Sequence, residues 1–123
     1  MTFAYWMLIA AAMLPYVTVA LAKSAGGIDN RAPRPGLEHL SGWHQRADWA
    51  HRNHFEAFPA FAAGVFVAEL THAPQSRIDL LAGIFVLLRV IYTLLYIADR
   101  ATLRSIVWAL GLIVVLWLYV LGV

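Results

Sequence analysis

The segment that decides the fold runs from Trp43 to Phe61 and reads WHQRADWAHRNHFEAFPAF. Its start is rich in charged and amide side chains, and the chain then continues apolar as far as Leu70. At 100° per residue, one helical face about 120° wide collects Arg46, Trp49, Arg52, Asn53 and Glu56. The small residues Ala57, Ala60, Gly64 and Val67 extend that face, whereas Phe55, Phe58 and Phe66 point away from it. We therefore predict a helix that buries its charges against other helices and presents its aromatic side to lipid.

The composition of the whole chain is that of a membrane protein. Hydrophobic residues make up 62% of the 123 residues and charged residues only 13%, and the mean hydropathy is +0.70. A soluble domain of this length would need more polar surface to cover its core. The absence of cysteine excludes disulfides, cysteine-ligated metals and a thiol nucleophile. A net charge of +2 is too small to indicate binding to nucleic acid, and we expect no such partner.

Four apolar segments are long enough to cross a bilayer. The first, Phe3 to Ala22, has no charged residue and matches a hydrocarbon core about 30 Å thick. It is predicted to be a transmembrane helix rather than a signal peptide, because no basic residue precedes it. Further helices are predicted at 43–70, 77–98 and 105–123, and the loop 23–40 is expected to lack regular structure because of its glycines and prolines. The predicted fold is all-α, an antiparallel four-transmembrane-helix bundle in one domain, residues 1–123.

The distribution of basic residues predicts the orientation in the membrane. The first loop carries Lys23, Arg31 and Arg34, and the third carries Arg100 and Arg104, while residues 71–77 contain only one arginine. By the positive-inside rule, loops 1 and 3 are expected to be cytoplasmic and both chain ends to lie on the opposite side. A bacterial inner membrane fits this arrangement.

A second polar group lies in the third predicted helix, where Arg89, Tyr92 and Tyr96 fall within about 60° of one another. Glu56 and Arg89 are expected at a similar depth and are predicted to pair, since a lone charge there costs about 2.5–3.5 kcal/mol. Such a pair is equally consistent with a structural clamp. The histidines of the decisive segment project in different directions and are interpreted as interfacial side chains rather than metal ligands.

The arginines, phenols and amide that gather at the cytoplasmic rim suit a small polyanion with carboxylates, because guanidinium groups bind carboxylates in bidentate fashion. An arginine near a thiol also stabilises the nucleophilic thiolate. The alternatives are a phospholipid-headgroup site and ordinary positive charge at the cytoplasmic surface. The candidate residues are Arg46, Arg52, Asn53, Glu56, Arg89, Tyr92, Tyr96, Arg100 and Arg104.

Several motifs resemble those of the MAPEG family (membrane-associated proteins in eicosanoid and glutathione metabolism). They are Arg46 followed by Ala50-His51-Arg52-Asn53-x-x-Glu56-x-x-Pro59, then Arg89-x-x-Tyr92-x-x-x-Tyr96, then Arg104-Ser105. The resemblance implies a homotrimer of four-helix bundles that binds glutathione between neighbouring subunits at the cytoplasmic side. By the same resemblance, Arg52, Asn53, Glu56, Tyr92 and Tyr96 would hold the tripeptide. Arg104 would stabilise its thiolate, with Ser105 nearby.

The chain also departs from the family pattern. Several members have an arginine where this chain has Trp49, so Arg46 or Arg52 would have to replace it. The distance from Tyr96 to the following arginines varies within the family, which leaves Arg100 as an alternative to Arg104 for the thiolate role. Either Arg31 or Arg34 would supply the first-loop arginine that some members use.

The leading functional prediction is a glutathione-dependent transferase or peroxidase-like enzyme that acts on hydrophobic electrophiles from the bilayer. Its expected partners are membrane lipids, a hydrophobic small-molecule substrate and two further copies of the chain. One alternative is a non-catalytic lipid-binding or scaffold protein of the same fold. Another is a channel or transporter subunit whose path is lined by Arg89 and Glu56.

Overall fold

The computed structural model describes all residues from 1 to 123 and consists of helices joined by short connections. The five helices are α1 (Phe3–Lys23), α2 (Pro33–Glu38), α3 (Gly42–Leu70), α4 (Gln75–Ile97) and α5 (Ala101–Val120). The four long ones correspond to the predicted helices, with ends displaced by up to four residues. The largest displacement is at α5, which begins directly after Arg100.

The first loop contains a short helix, and its predicted lack of regular structure is wrong at this point. In α2, Pro33 is the first helical residue and Pro35 lies in the same turn. Proline is tolerated there because its fixed φ suits a helix and the missing N–H would have no intrahelical partner. Leu37 is buried in a small cluster with Ala22 and Ala47, which attaches α2 to the ends of α1 and α3.

α3 packs against α1, α4 and α5. Its buried side chains recur at intervals of three and four residues, at Ala47, Ala50, His54, Phe61, Val65 and Ala68. In the centre of the core the rings of Phe61 and Phe85 stack with centroids 4.0 Å apart. Gly64 allows α5 to approach closely, because a Cβ atom there would lie 3.3 Å from the Cβ of Leu118.

Polar contacts fix the two ends of the bundle. At one end, the Asp79 carboxylate accepts hydrogen bonds from the backbone N–H of Ala4 (2.9 Å) and from Gln75 Nε2 (2.9 Å). At the other end, Arg46 donates through Nε (3.2 Å) and Nη2 (3.0 Å) to the carbonyl oxygen of Ile97. Both sets satisfy backbone groups that a helix terminus leaves without a partner.

Three helices, α1, α4 and α5, are long and apolar enough to cross a membrane. Large apolar side chains on their outer surfaces are exposed, including Trp6, Leu87, Ile113 and Trp117, as expected for surfaces in contact with lipid. α3 is the longest helix, with 29 residues, but its first half carries most of its charged residues. The chain is thus an all-helical integral membrane protein.

Candidate functional site

The polar face of α3 is only partly covered in the single chain. Arg52, Glu56 and Ala60 are exposed, whereas the buried stripe passes through Ala50 and His54. The buried face is therefore rotated from the one predicted, because α1 and α4 pack beside the polar stripe rather than over it. The predicted outward direction of the phenylalanines holds for Phe55 and Phe66, which are about half exposed, and less for Phe58, which packs against the core.

The predicted direct pair between Glu56 and Arg89 is wrong, since the two side chains are joined through an amide. Arg89, only 4% exposed, donates from Nη2 to Asn53 Oδ1 (2.8 Å). The Asn53 amide nitrogen in turn donates to Glu56 Oε2 (3.2 Å). Asn53 reaches both partners because it lies one turn before Glu56 on α3 and faces α4.

His54, rather than the predicted Glu56, is the side chain next to Arg89. The Nε and Nη2 groups of Arg89 both point at His54 Nδ1, at 3.1 and 2.9 Å. On its other side, His54 Nε2 lies 2.8 Å from Thr93 Oγ1. The face of the Arg89 guanidinium is covered by the Tyr92 ring, whose centroid is 4.3 Å from Cζ.

An open polar pocket of about 390 Å³ lies where α3 and α4 meet. It is lined by Trp49, Arg52, Asn53, Glu56, Tyr92 and Tyr96. Arg104 of α5 extends over the Tyr96 ring, with Cζ 4.3 Å from the centroid, in a cation–π contact. The structure therefore brings together most of the residues predicted to hold a ligand, and sets the Arg104 guanidinium beside them.

A second, mostly apolar cavity of about 190 Å³ lies between α3, α4 and α5. Its apolar wall includes Phe85, Leu88, Val107, Trp108 and Leu112. Its polar end is formed by Asn53, Glu56, Arg89 and Tyr92. Because Asn53, Glu56 and Tyr92 line both cavities, the polar pocket and the apolar cavity share one wall.

Four predicted site residues line neither cavity, and of these only Arg104 contacts a pocket residue, the Tyr96 ring. Arg46 is bound to the end of α4, as described above. Arg100 is exposed at the start of α5 and makes no side-chain hydrogen bond. Ser105 is exposed and lines a shallow surface hollow with Ala101, Thr102, Ile106 and Ala109.

Neither first-loop arginine reaches the polar pocket within the single chain. Arg31 is exposed and only its backbone N–H is bound, to Asp29 Oδ1 (2.9 Å). Arg34 lines a separate hollow on the other side of α3, together with Glu38, Asp48 and Arg52. Arg52 thus lines both the polar pocket and this hollow. It also donates from Nε to the buried Asp48 carboxylate (3.1 Å).

Four buried polar residues were not predicted from the sequence: Thr18, Asp48, His54 and Thr93. A usable signal existed for His54, because it continues the three-and-four spacing of the small and apolar residues Ala47, Ala50 and Phe61. The charged stripe lies next to this buried stripe on the helix and is the more conspicuous of the two in the sequence. No comparable pattern identified Thr93, which lies one turn after Arg89 on an apolar helix.

The charges around the polar pocket are complementary to a small zwitterion. Arg52 and Arg104 supply guanidinium groups that match carboxylates or a thiolate. Glu56 has its Oε2 bound to Asn53, which leaves Oε1 to accept from an ammonium group. Tyr92 and Tyr96 add two hydroxyl groups that donate or accept.

Comparison with family models matches residues 3–123 to the MAPEG family. No curated protein and no solved structure matches the chain. The family model covers essentially the whole chain, including both polar motifs and all four long helices. The chain therefore belongs to the MAPEG family, as its motifs predicted.

Proposed function

We propose that this protein is a membrane-bound glutathione-dependent transferase, with peroxidase-like reduction of hydroperoxides as a related activity. It would join the glutathione thiolate to hydrophobic electrophiles at the cytoplasmic side of the membrane. The observation that carries the proposal is the shared wall of Asn53, Glu56 and Tyr92 between a polar, charged pocket and an apolar cavity. Such a pair of cavities suits a reaction between a polar tripeptide and an apolar partner.

The donor set of the polar pocket fits glutathione, which has two carboxylates, one ammonium group and one thiol. Arg52 would bind a carboxylate, and Glu56 would accept from the ammonium group through Oε1. The Asn53 amide, whose nitrogen is oriented toward Glu56, would hold the Glu56 carboxylate in place. Tyr92 and Tyr96 would bind the peptide groups between the two ends.

Arg104 would act on the sulfur. Its contact with the Tyr96 ring holds the guanidinium at the edge of the pocket, where its charge would favour loss of the thiol proton and stabilise the thiolate. The thiolate would attack an electrophilic carbon of a molecule held in the apolar cavity, forming a carbon–sulfur bond. A leaving group would depart with the electron pair, or a proton from water would complete an addition. The rate would come from holding the two reactants together and from the charge of Arg104.

We also propose that the active form is a homotrimer of four-transmembrane-helix bundles, with α3 as the fourth membrane-spanning helix. The exposed stripe of Arg52, Glu56 and Ala60 on α3 supports this, because such a polar stripe with small residues is unfavourable in contact with lipid. A neighbouring subunit would cover it and close the polar pocket. The distribution of basic residues supports cytoplasmic loops 1 and 3 in a bacterial inner membrane.

Substitution of Arg104 by alanine tests the reaction most specifically. We expect Arg104→Ala to lower kcat for conjugation of a model aromatic electrophile by roughly a hundredfold, while the Kd for glutathione changes by no more than about threefold. The reason is that Arg104 would act mainly on the charge of the sulfur. The measurements are steady-state conjugation kinetics and calorimetric binding on detergent-solubilised protein.

Arg100→Ala is the matched comparison, because Arg100 is the other arginine considered for the thiolate role. A larger loss of kcat in Arg100→Ala than in Arg104→Ala would move that role to Arg100. Unchanged kcat in both variants would contradict electrostatic activation by either residue.

A further inference from the structure

The polar contacts around Arg89 form a closed ring. The Arg89 guanidinium donates to His54 Nδ1, His54 Nε2 contacts Thr93 Oγ1, and Thr93 Oγ1 donates to the carbonyl oxygen of Arg89 itself (2.9 Å). The ring therefore starts at the side chain of Arg89 and ends at its backbone. All three side chains are less than 10% exposed, and the space beside His54 on the α1 side is too small to hold a water molecule.

Counting donors and acceptors fixes the state of His54. A guanidinium can only donate, so His54 Nδ1 must be unprotonated. The single hydroxyl proton of Thr93 is used on the Arg89 carbonyl, so Thr93 Oγ1 must accept from His54 Nε2–H. His54 is therefore a neutral imidazole with its proton on Nε2, and no other assignment satisfies all members of the ring.

The ring determines the direction of the Arg89 guanidinium. With Nε held by His54, one Nη2–H is left pointing at Asn53 Oδ1 (2.8 Å). This contact decides which end of the Asn53 amide faces inward, and its nitrogen then faces Glu56 Oε2. Arg89 does not line the polar pocket itself, so it acts on that pocket through side chains that do: Asn53, Glu56 beyond it, and the Tyr92 ring.

We infer that His54, as the neutral Nε2–H tautomer, is a positioning residue that sets the Asn53 amide and the Glu56 carboxylate through Arg89. This inference rests on the proposed function for its meaning in substrate binding. Without His54, the buried guanidinium has no acceptor on Nε and turns toward Asn53 and Glu56. The carboxylate that receives the ammonium group of glutathione is then engaged by Arg89 instead.

The test compares four forms of the full-length protein in detergent: wild type, His54→Leu, His54→Asn and His39→Leu. Loss of a hydrogen bond to a charged group corresponds to roughly a ten- to hundredfold change, so we expect His54→Leu to raise the KM and Kd for glutathione by about that factor. The kcat at saturating glutathione is expected to stay within about threefold, because Arg104 is untouched. In His54→Asn the side-chain oxygen replaces Nδ1 as acceptor, and most of the affinity is expected to return. His39 is exposed and lines neither cavity, so His39→Leu is expected to bind as the wild type does.

A ligand-free readout separates this inference from the proposed function. Nitrogen NMR of selectively labelled protein is expected to show the Nε2–H tautomer for His54 and a side-chain amide signal of Asn53 that shifts in His54→Leu. A wild type that binds no glutathione contradicts the proposed function, and the NMR signals still decide the role of His54. An Nδ1–H or charged His54, or an Asn53 amide signal unchanged in His54→Leu, would overturn the inference, as would wild-type affinity in that variant.

If His54→Leu does not fold, Thr93→Val carries the same test. It removes the acceptor for His54 Nε2–H while leaving the contact between His54 and Arg89 possible. We then expect a shifted His54 nitrogen signal and a glutathione Kd raised by about three- to tenfold. Unchanged values of both would overturn the inference.

Discussion

Arg46 lies near the start of α3, and its guanidinium points at the end of α4. Both of its hydrogen bonds go to the last carbonyl of α4, that of Ile97. A cation at the C-terminus of a helix interacts favourably with the helix dipole and satisfies an unpaired carbonyl. We therefore interpret Arg46 as a group that joins the start of α3 to the end of α4.

This interpretation predicts a loss of stability without a matching loss of binding. Arg46→Met keeps the apolar part of the side chain and removes the donors, and we expect the free energy of unfolding to fall by about 1–2 kcal/mol. The Kd for glutathione is expected to change by less than about threefold. Thermal unfolding followed by circular dichroism and calorimetric binding provide the two values. Arg77→Met, at an exposed arginine, is the control, and a large loss of binding with unchanged stability would return Arg46 to the site.

At single positions, the sequence predicted which residues lie close together better than which side chains bond to each other. Asn53, Glu56, Tyr92 and Tyr96 were selected from their motifs, and the structure places all four on one pocket. The partner of Arg89 was predicted wrongly, because helical periodicity gives the direction of a side chain only within about one position. His54 and Asn53 are adjacent in sequence, and both reach α4.

Among the elements, α3 determines both the fold and the candidate site. It carries the segment Trp43 to Phe61 and packs on every other long helix. Its existence and its limits followed from the sequence to within one residue. The helix α2 did not, because a proline-rich segment reads as a loop unless its prolines fall in the first turn, where they favour a helix. The charges on the first half of α3 also leave it outside the set of helices that are apolar enough to span a membrane.

A cysteine-scanning experiment tests whether α3 spans the membrane. The natural chain has no cysteine, so single cysteines can be labelled without background. We expect Ala25→Cys, before α3, to react with a membrane-impermeant maleimide only in inside-out vesicles, and Ser76→Cys, after α3, only in right-side-out vesicles. Leu87→Cys, on the exposed apolar surface of α4, serves as the control and should be protected in both. Labelling of Ala25→Cys and Ser76→Cys from the same side would contradict a spanning α3.

Over the whole molecule, the all-helical membrane fold was predictable from hydropathy and from the helical period, because both depend on local sequence. The shared wall between the polar pocket and the apolar cavity was not, because it depends on how α5 packs against α3 and α4. Gly64 and Gly111 contribute to that packing, at a close contact with Leu118 and at the cavity wall respectively. Neither contact can be recognised without knowledge of which helix faces which.

Calorimetric titration of the detergent-solubilised protein with glutathione shows whether the polar pocket between α3 and α4 binds this ligand. We expect saturable binding in the micromolar to millimolar range, weakened at least about tenfold in Asn53→Ala. Asn30→Ala, at an exposed loop amide, is the matched control and should bind as the wild type does. Absence of binding in a folded wild-type protein, or equal binding by wild type and Asn53→Ala, would contradict a glutathione site in this pocket.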